Sequence, residues 1–171
     1  AFLVMALEEK HQDFLGQVYM QLNLGNVATG QFFTPYHVSK MMSEICFVDI
    51  EKQLEEKDFI TLAEPCCGSG GMIIAYAETL KEQGYNYQHQ LFVEAIDIDE
   101  ICFMMTYIQL SLLGVVAKVI HGDSLTLDFH KVLYTPFYFV NGFERKLKRI
   151  KNETETEIIQ KIEPMQLNLF S

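Results

Sequence analysis

One segment, Leu62 to Gly71 with the sequence LAEPCCGSGG, constrains the fold of this chain more than any other. An apolar run ends at the acidic Glu64 and passes into a glycine-rich turn that opens a predicted helix. In open α/β sheets ligands bind where strand ends meet such turns, because glycine lacks a Cβ atom and a helix N-terminus offers free N–H groups. The segment therefore predicts a nucleotide-like cofactor at the end of a buried strand.

The spacing of the glycines argues against a dinucleotide. Gly68, Gly70 and Gly71 do not form G-x-G-x-x-G, and the Glu64 carboxylate would repel a phosphate. A cofactor with a cationic, amino-acid-like end suits an acid at this position better. S-adenosylmethionine carries both an ammonium and a sulfonium group, so it is the cofactor that these residues predict.

Apolar strands and helices alternate around this turn. We predict strands at Phe59 to Ala63, Leu91 to Asp97 and Val115 to His121, and helices at Gly71 to Gln83 and Asp99 to Gly114. Such alternation is typical of βαβ units with a parallel sheet, so the predicted class is a truncated, Rossmann-like α/β fold with an N-terminal helical segment. With 171 residues, 49% of them hydrophobic, the chain can bury a core without disulfides or metal.

The N-terminal part is predicted to be helical. Apolar spacing indicates a helix within residues 1–24, broken at Gly25-Asn26. A second helix is predicted to begin at Pro35 with Thr34 as its cap. Its predicted buried stripe consists of Val38, Met41, Met42 and Ile45. The charged residues 49–58 are predicted to form a linker.

The chain divides into three predicted parts. These are a helical segment at residues 1–47, an α/β core at residues 59–140, and a C-terminal helix and tail at residues 141–171. The C-terminal helix carries a cluster of five basic residues, Arg145, Lys146, Lys148, Arg149 and Lys151. Glu153, Glu155 and Glu157 follow at once, so we favour a solvated helix with offsetting charges over a phosphate-contacting patch.

Four blocks of the sequence, in order, resemble the amino-methyltransferases that modify adenine in DNA, above all the modification subunits of type I restriction systems. The blocks are Gly30-Gln31-Phe32-Phe33-Thr34-Pro35, Glu64-Pro65-x-x-Gly68-Ser69-Gly70-Gly71, Ala95-Ile96-Asp97-Ile98-Asp99 and Gly122-Asp123-Ser124. They span residues 30–124, a little over half of the chain. A single glycine turn is weak evidence, but GQFFTP ahead of EPxxGSGG is a specific combination.

The resemblance implies a cofactor site drawn from all four blocks. The implied residues are Phe33, Thr34, Glu64, Pro65, Gly68, Ser69, Gly70, Asp97, Ile98, Asp123 and Ser124. Phe33 and Thr34 would close over the cofactor, with Thr34 near its amino-acid end. Glu64 would attract the ammonium group. Asp97 would accept the ribose hydroxyls, and Asp123 the adenine amino group.

The chain departs from the family in the block that carries catalysis. Family members have Asn or Asp, then Pro-Pro and an aromatic residue, after the fourth strand, where they hold a flipped adenine and localise the lone pair of its amino group. The nearest match here is Thr135-Pro136-Phe137-Tyr138. Thr135 and the Pro136 carbonyl would be the hydrogen acceptors and Tyr138 the stacking platform, at a severe loss of rate. The other interpretation is an ordinary aromatic strand, Val132 to Val140.

The chain is also short for such an enzyme, which has about seven strands. Only 33 residues follow Tyr138, so there is room for four strands, or five at most. In the usual order 3-2-1-4 the fourth strand becomes an exposed parallel edge, and such edges invite pairing. We expect this edge to be covered by the first or last helix, by a second copy in a homo-oligomer, or by a partner chain.

Charge and cysteine usage bound the environment of the protein. The formal charge of −10 argues against a surface that binds nucleic acid all over, so DNA contact must be local or come from a partner. The four cysteines form no C-x-x-C pair, which favours a reducing compartment and no metal. The apolar stretch Ala1 to Leu7 is too short to span a bilayer. These features predict a cytoplasmic protein.

The last residues, Gln166 to Phe170, resemble the short Q-L-x-L-F tails with which bacterial DNA-processing proteins dock on the sliding clamp. The other interpretation is a terminus that folds back on the core through Leu167, Leu169 and Phe170.

Two functional forms compete, ahead of a third alternative, a methyltransferase that acts on RNA or protein. One is a restriction-modification type DNA adenine-N6 methyltransferase with impaired catalysis, helped by a specificity subunit. The other is a non-catalytic module that binds the cofactor or assembles on DNA.

Overall fold

A computed structural model describes residues 2–22 and 32–153 of the chain. The elements are α1 (Phe2–Glu9), α2 (Phe14–Gln21), α3 (Tyr36–Ile45), α4 (Ile50–Lys57), β1 (Ile60–Glu64), α5 (Gly71–Glu82), α6 (Tyr87–Gln90), β2 (Leu91–Asp97), α7 (Glu100–Leu113), β3 (Val116–Asp123), β4 (Asp128–Tyr134) and α8 (Pro136–Val140). Residues 143–153 form a further helix. Helices and strands alternate through the middle of the chain, which confirms the predicted α/β class.

The four strands form one sheet in the order β1-β2-β3-β4. The first three are parallel, with Glu64 opposite Ala95 and Asp97 opposite His121. Their carboxyl ends therefore lie together at one end of the sheet, next to the glycine turn. The predicted neighbours of these three strands are confirmed.

The predicted position of the fourth strand is wrong. β4 pairs with β3 in the antiparallel sense and does not extend the sheet beyond β1. Only residues 124–127 separate β3 from β4, and a parallel neighbour would need a crossover of a dozen residues or more. β1 and β4 are therefore the two edges of the sheet, and five of the seven β4 residues are exposed. A strand from Val132 to Val140 is wrong as well, because β4 ends at Tyr134 and α8 begins at Pro136.

Each face of the sheet has its own apolar cluster. Val93 and Ala117 belong to the main core, which they share with side chains of α5 and α7. Phe92 and Val116, their neighbours along the same strands, belong to a smaller aromatic cluster with Tyr138 of α8 and residue 143 of the last helix. Adjacent residues of a strand point to opposite faces. The last helices thus cover the face opposite to α5 and α7.

Helix α3 packs with the face that its sequence predicts to be exposed. Most of the predicted buried stripe is exposed, at Met41, Met42 and Ile45. The buried face carries Ser39 and Ser43, and Ser43 Oγ lies 2.6 Å from Thr79 Oγ1 of α5. Lys40 adds an ion pair with Glu82 of α5. Small side chains let α3 approach α5 closely, so its apolar periodicity misassigns the buried face.

Three further predictions near the N-terminus need correction. The expected helix within residues 1–24 is two helices, because Asp13 caps α2 by accepting the Gly16 N–H over 2.9 Å. Pro35, and not Thr34, is the N-cap of α3, and no side chain bonds there. The expected linker at residues 49–58 contains α4, in keeping with the good helix propensity of its Glu, Lys, Gln and Leu residues.

The basic residues of the last helix have acidic neighbours. Lys148 pairs with Glu144 at 2.8 Å, and Arg149 lies 3.7 Å from Asp58 and 3.6 Å from Glu153. This pattern favours the interpretation as a solvated helix. Across residues 2–22 and 32–153, no helix is long and apolar enough to cross a membrane.

Candidate functional site

The glycine turn joins β1 to α5 and is tied to the end of β2. Cys67 N–H donates to the Ile96 carbonyl over 2.9 Å, and Gly70 N–H donates to the Cys67 carbonyl over 2.8 Å. Gly68 and Gly70 have φ angles of +55° and +91°, which residues with side chains rarely adopt. Gly70 is the N-cap of α5 without a side-chain cap bond, and the first N–H groups of a helix have no partner inside it. The turn therefore offers backbone donors at a site whose backbone angles favour glycine.

Asp97 holds the turn from the end of β2. Its Oδ2 accepts the Gly68 N–H over 2.7 Å, and its Oδ1 accepts the Asp99 N–H over 2.9 Å. Burial raises the pKa of the Asp97 carboxyl, and these two backbone donors oppose that shift. The carboxylate thus lies beside the turn, as the sequence predicts.

Glu64 lies at the end of β1, one strand away from Asp97. Burial raises the pKa of the Glu64 carboxyl, a backbone N–H bond from Cys66 lowers it, and the negative charge of Asp97 raises it further. Two half-buried carboxyl groups therefore lie at the ends of adjacent parallel strands, and the charge of Asp97 acts on Glu64. A cation bound between them would stabilise both charged forms.

Phe33 packs directly on the glycine turn. A Cβ atom on Gly68 would lie 3.2 Å from the Phe33 ring, so the ring fills the space that the glycine leaves open. The same ring stacks at 5.4 Å from Tyr19 of α2. The structure thus brings the segment before α3 to the turn, as the sequence predicts for Phe33.

A cavity of about 90 Å³ lies between that segment and the turn. It is lined by Asp13, Phe32, Phe33, Thr34, Ser39, Cys66, Cys67, Gly68, Ser69, Gly71 and Met72. Ligand sites for whole small molecules have volumes of roughly 300–1,000 Å³, so this cavity admits one end of a cofactor at most. Glu64, Asp97 and Asp123 are not among its lining residues.

Asp13 is a site residue that the sequence reasoning missed. It is buried, and its carboxylate accepts hydrogen bonds from Ser69 Oγ of the turn and from Gln109 Nε2 of α7. Gln109 Nε2 also donates to the Ser69 carbonyl over 2.7 Å. The network joins α2, the turn and α7. The available signal was an acid directly before an apolar helical segment, which is the signature of an N-cap.

Asp123 is not brought into the carboxylate pair. Its Oδ1 accepts the N–H groups of Leu125 and Thr126 over 2.8 and 3.2 Å, and these bonds lower the pKa of its carboxyl. The side chain thereby closes the turn between β3 and β4, in which Ser124 also lies. Ile98 directly follows β2 and is exposed, and Pro65 is exposed at the start of the glycine turn.

The predicted catalytic residues lie at the other end of the sheet. Thr135 is fully buried, its hydroxyl donates to the Val115 carbonyl over 2.7 Å, and it accepts the Ala117 N–H over 2.9 Å. Ala117 pairs with Val93, four residues before Asp97, which is about 13 Å along a strand. Pro136 begins α8 and Tyr138 packs in the aromatic cluster. The antiparallel course of β4 carries these residues away from the turn, so their predicted position beside the cofactor is wrong.

Several predicted features lie outside the described residues. These are the break at Gly25-Asn26, Gly30 and Gln31 of the first block, and the tail Gln166 to Phe170. They stay predictions from the sequence.

Comparison with protein families gives one match over most of the chain. A family model described as N-6 DNA methylase matches residues 10–158. This range contains the glycine turn, the whole sheet and all four sequence blocks. None of the curated proteins matches the chain.

Comparison with solved structures gives a distant likeness. A protein of Listeria monocytogenes, provisionally described as a class I S-adenosylmethionine-dependent methyltransferase, matches with a TM-score of 0.44 and 16% identity. The match covers 68% of this chain and 36% of that one. The chain thus spans about a third of the length of the solved protein it matches.

Proposed function

The chain belongs to the N-6 DNA methylase family, and from this premise we propose that it binds S-adenosylmethionine where the glycine turn meets the ends of β1 and β2. The observation that carries the proposal is the Asp97 carboxylate, which accepts the Gly68 N–H of the turn at the end of β2, the strand beside the one that ends at Glu64. Of the two functional forms, we favour a cofactor-binding module that works on DNA together with another polypeptide.

The residues at the turn suit the parts of this cofactor. Asp97 is an acceptor for the ribose hydroxyls, since a carboxylate has about four acceptor positions and two here bond to backbone N–H groups. Glu64 adds negative charge that favours the cationic part of the molecule. Gly68 and Gly70 give the turn backbone angles that residues with side chains rarely adopt, and the Phe33 ring packs on Gly68. When bound, the cofactor supplies an electrophilic methyl group.

The proposal assigns no catalytic role to Thr135, Pro136 and Tyr138. A buried hydroxyl that already bonds to two backbone groups has no access to an adenine amino group. Methylation of adenine N6 in a restriction-modification system would then need hydrogen acceptors and DNA contacts from a partner, such as a specificity subunit. Assembly through the edges of the sheet, as a homo-oligomer or with another chain, and clamp docking by residues 166–170 belong to the same proposal.

Calorimetric titration with S-adenosylmethionine tests the proposed site. We expect binding by the unmodified chain and a loss of affinity of about tenfold or more in Asp97→Asn, because charge-assisted hydrogen bonds contribute roughly 1.5–3 kcal/mol. Glu94→Gln is the matched control, since Glu94 lies on the same strand and pairs with Lys118 at 2.7 Å. Equal affinities of Asp97→Asn and the unmodified chain would contradict the site.

A methyl-transfer assay separates the two functional forms. With labelled cofactor and mixed-sequence DNA, we expect no transfer by this chain alone. Methyl transfer by the unmodified chain, and its loss in a Thr135→Ala variant that still binds the cofactor, would support the enzyme hypothesis instead.

A further inference from the structure

The cavity beside the glycine turn contains a buried hydroxyl without a partner. Ser39 of α3 is fully buried and lines this cavity, and its Oγ forms no hydrogen bond. Within residues 2–22 and 32–153 only one other buried side-chain atom shares this state, Ser111 Oγ of α7. A buried hydroxyl without a hydrogen bond lowers the stability of the fold by about 1–3 kcal/mol. Its position at the wall of a cavity therefore suggests that a ligand is its partner.

The same cavity contains a buried carboxylate with neutral partners. Asp13 accepts hydrogen bonds from Gly16 N–H, Gln109 Nε2 and Ser69 Oγ. These bonds use three of the roughly four acceptor positions of a carboxylate. None of the described residues that line the cavity is Lys, Arg or His. Because a buried charge is costly without an opposite charge, the cavity favours a ligand that brings a cation.

The size of the cavity limits the ligand group to a few atoms. A volume of about 90 Å³ is well below the roughly 300–1,000 Å³ of a site for a whole small molecule. The first N–H groups of α5, next to Gly70, lie at the positive end of a twelve-residue helix and favour an anion. A group with one cation and one anion on neighbouring atoms, the α-ammonium and α-carboxylate of an amino acid, satisfies these conditions together.

We infer that Ser39 and Asp13 recognise the amino-acid end of the ligand, with the Ser39 hydroxyl donating to its carboxylate and Asp13 accepting its ammonium group. This inference rests on the proposed function. It moves the ammonium contact from Glu64, which does not line the cavity, to Asp13, which does.

Two ligands that differ only at that end test the inference. S-adenosylmethionine and 5′-methylthioadenosine share adenosine and sulfur, but the second lacks the amino-acid group. We expect Ser39→Ala to weaken S-adenosylmethionine about tenfold and to change the affinity for 5′-methylthioadenosine less than twofold. Ser39→Cys, which keeps the volume and loses the strong donor, should give the same selective loss. Ser111→Ala is the matched control and should leave both affinities unchanged.

Asp13→Asn extends the test to the ammonium contact, with thermal unfolding as a check because Asp13 also ties α2 to the turn. A selective loss for S-adenosylmethionine is expected there too. Equal losses for both ligands in the serine variants, or no loss for either, would overturn the inference and leave the proposed cofactor site standing. Failure of the unmodified chain to bind either ligand would overturn the proposed function, and the inference with it.

Discussion

The turn region, formed by the glycine turn with the ends of β1 and β2, and the hairpin region, from Asp123 to Thr135, use the same polar residue types in opposite ways. In the turn region Glu64 and Asp97 have raised pKa values, and Ser39 Oγ has no partner. In the hairpin region the Asp123 carboxylate accepts two backbone N–H groups, and the Thr135 hydroxyl bonds to the Val115 carbonyl and to the Ala117 N–H.

The difference bears on whether an acidic residue at the end of a strand binds a ligand or stabilises the fold. Asp97 and Asp123 both end strands of the parallel set, and their sequence contexts resemble family blocks equally well. Only Asp97 bonds to the backbone of the glycine turn, whereas Asp123 lies opposite Asp128 of β4. Both carboxylates accept two backbone N–H groups, so the number of hydrogen bonds does not separate them. Burial raises the pKa of the Asp97 carboxyl, whereas the backbone donors lower the pKa of the Asp123 carboxyl.

The largest expected effect is on stability in the hairpin region. Thr135→Val keeps the shape of the side chain but leaves the buried Val115 carbonyl and Ala117 N–H without the hydroxyl. We expect the free energy of unfolding to fall by about 3 kcal/mol in urea titrations, and the affinity of the folded protein for S-adenosylmethionine to stay within twofold. Thr61→Val, at an exposed position of β1, should change stability by less than about 0.5 kcal/mol. Tenfold weaker cofactor binding by a stable Thr135→Val variant would break the contrast.

The second-largest effect, on stability and cofactor affinity, is expected to distinguish two glycines with nearly the same φ angle. Gly70 and Gly84 have φ angles of +91° and +86°, but a Cβ on Gly70 would lie 3.2 Å from Thr106 Oγ1, whereas one on Gly84 would meet nothing within 4 Å. We expect Gly84→Ala to cost about 1 kcal/mol of backbone strain and to leave cofactor affinity unchanged.

Gly70→Ala carries the additional cost of moving Thr106, whose hydroxyl donates to the Gly68 carbonyl over 2.9 Å. We expect a loss of about 2 kcal/mol in stability and of at least tenfold in cofactor affinity. The two variants are compared by urea unfolding and calorimetry. Equal affinities would mean that the shape of the turn does not matter to the ligand.

The sequence predicts the turn region well because its signals are local. Leu91 to Asp97 is a strand with the predicted bounds, and Asp99 and Gly114 begin and end α7 as expected. Each of these signals is contained within one element and its flanking residues. The apolar run, the N-cap and the glycine in a left-handed conformation act over a few residues.

The features that the sequence does not predict depend on distant partners. The pairing of β4 is set by the four residues that connect it to β3, and not by its own pattern. Ser43 is buried because its hydroxyl meets that of Thr79 on α5. Asp13 is recognisable as a helix cap, but its bond to Ser69 spans 56 positions of the chain. Contacts of this kind require the assembled fold.

The smallest expected effect is a difference in pH dependence between the two regions. Burial raises the pKa of Glu64, so the folded protein keeps a proton that the unfolded chain releases as the pH rises past about 4. Its stabilising contribution is therefore complete at low pH and is lost as the pH rises through the raised pKa.

Backbone donors lower the pKa of Asp123, so its contribution is complete above about 4 and is lost as the pH falls through the lowered pKa. Urea unfolding from pH 2 to 7 measures these differences. Relative to the unmodified chain, the free energy of unfolding of Glu64→Gln should increase as the pH rises above 4. That of Asp123→Asn should decrease, relative to the unmodified chain, as the pH rises towards 4. Saturating S-adenosylmethionine should leave the second trend unchanged, because the Asp123 carboxylate closes the turn between β3 and β4 and is not part of the proposed cofactor site. Trends of the same sign in both variants would mean that the two carboxyl groups serve the fold in the same way.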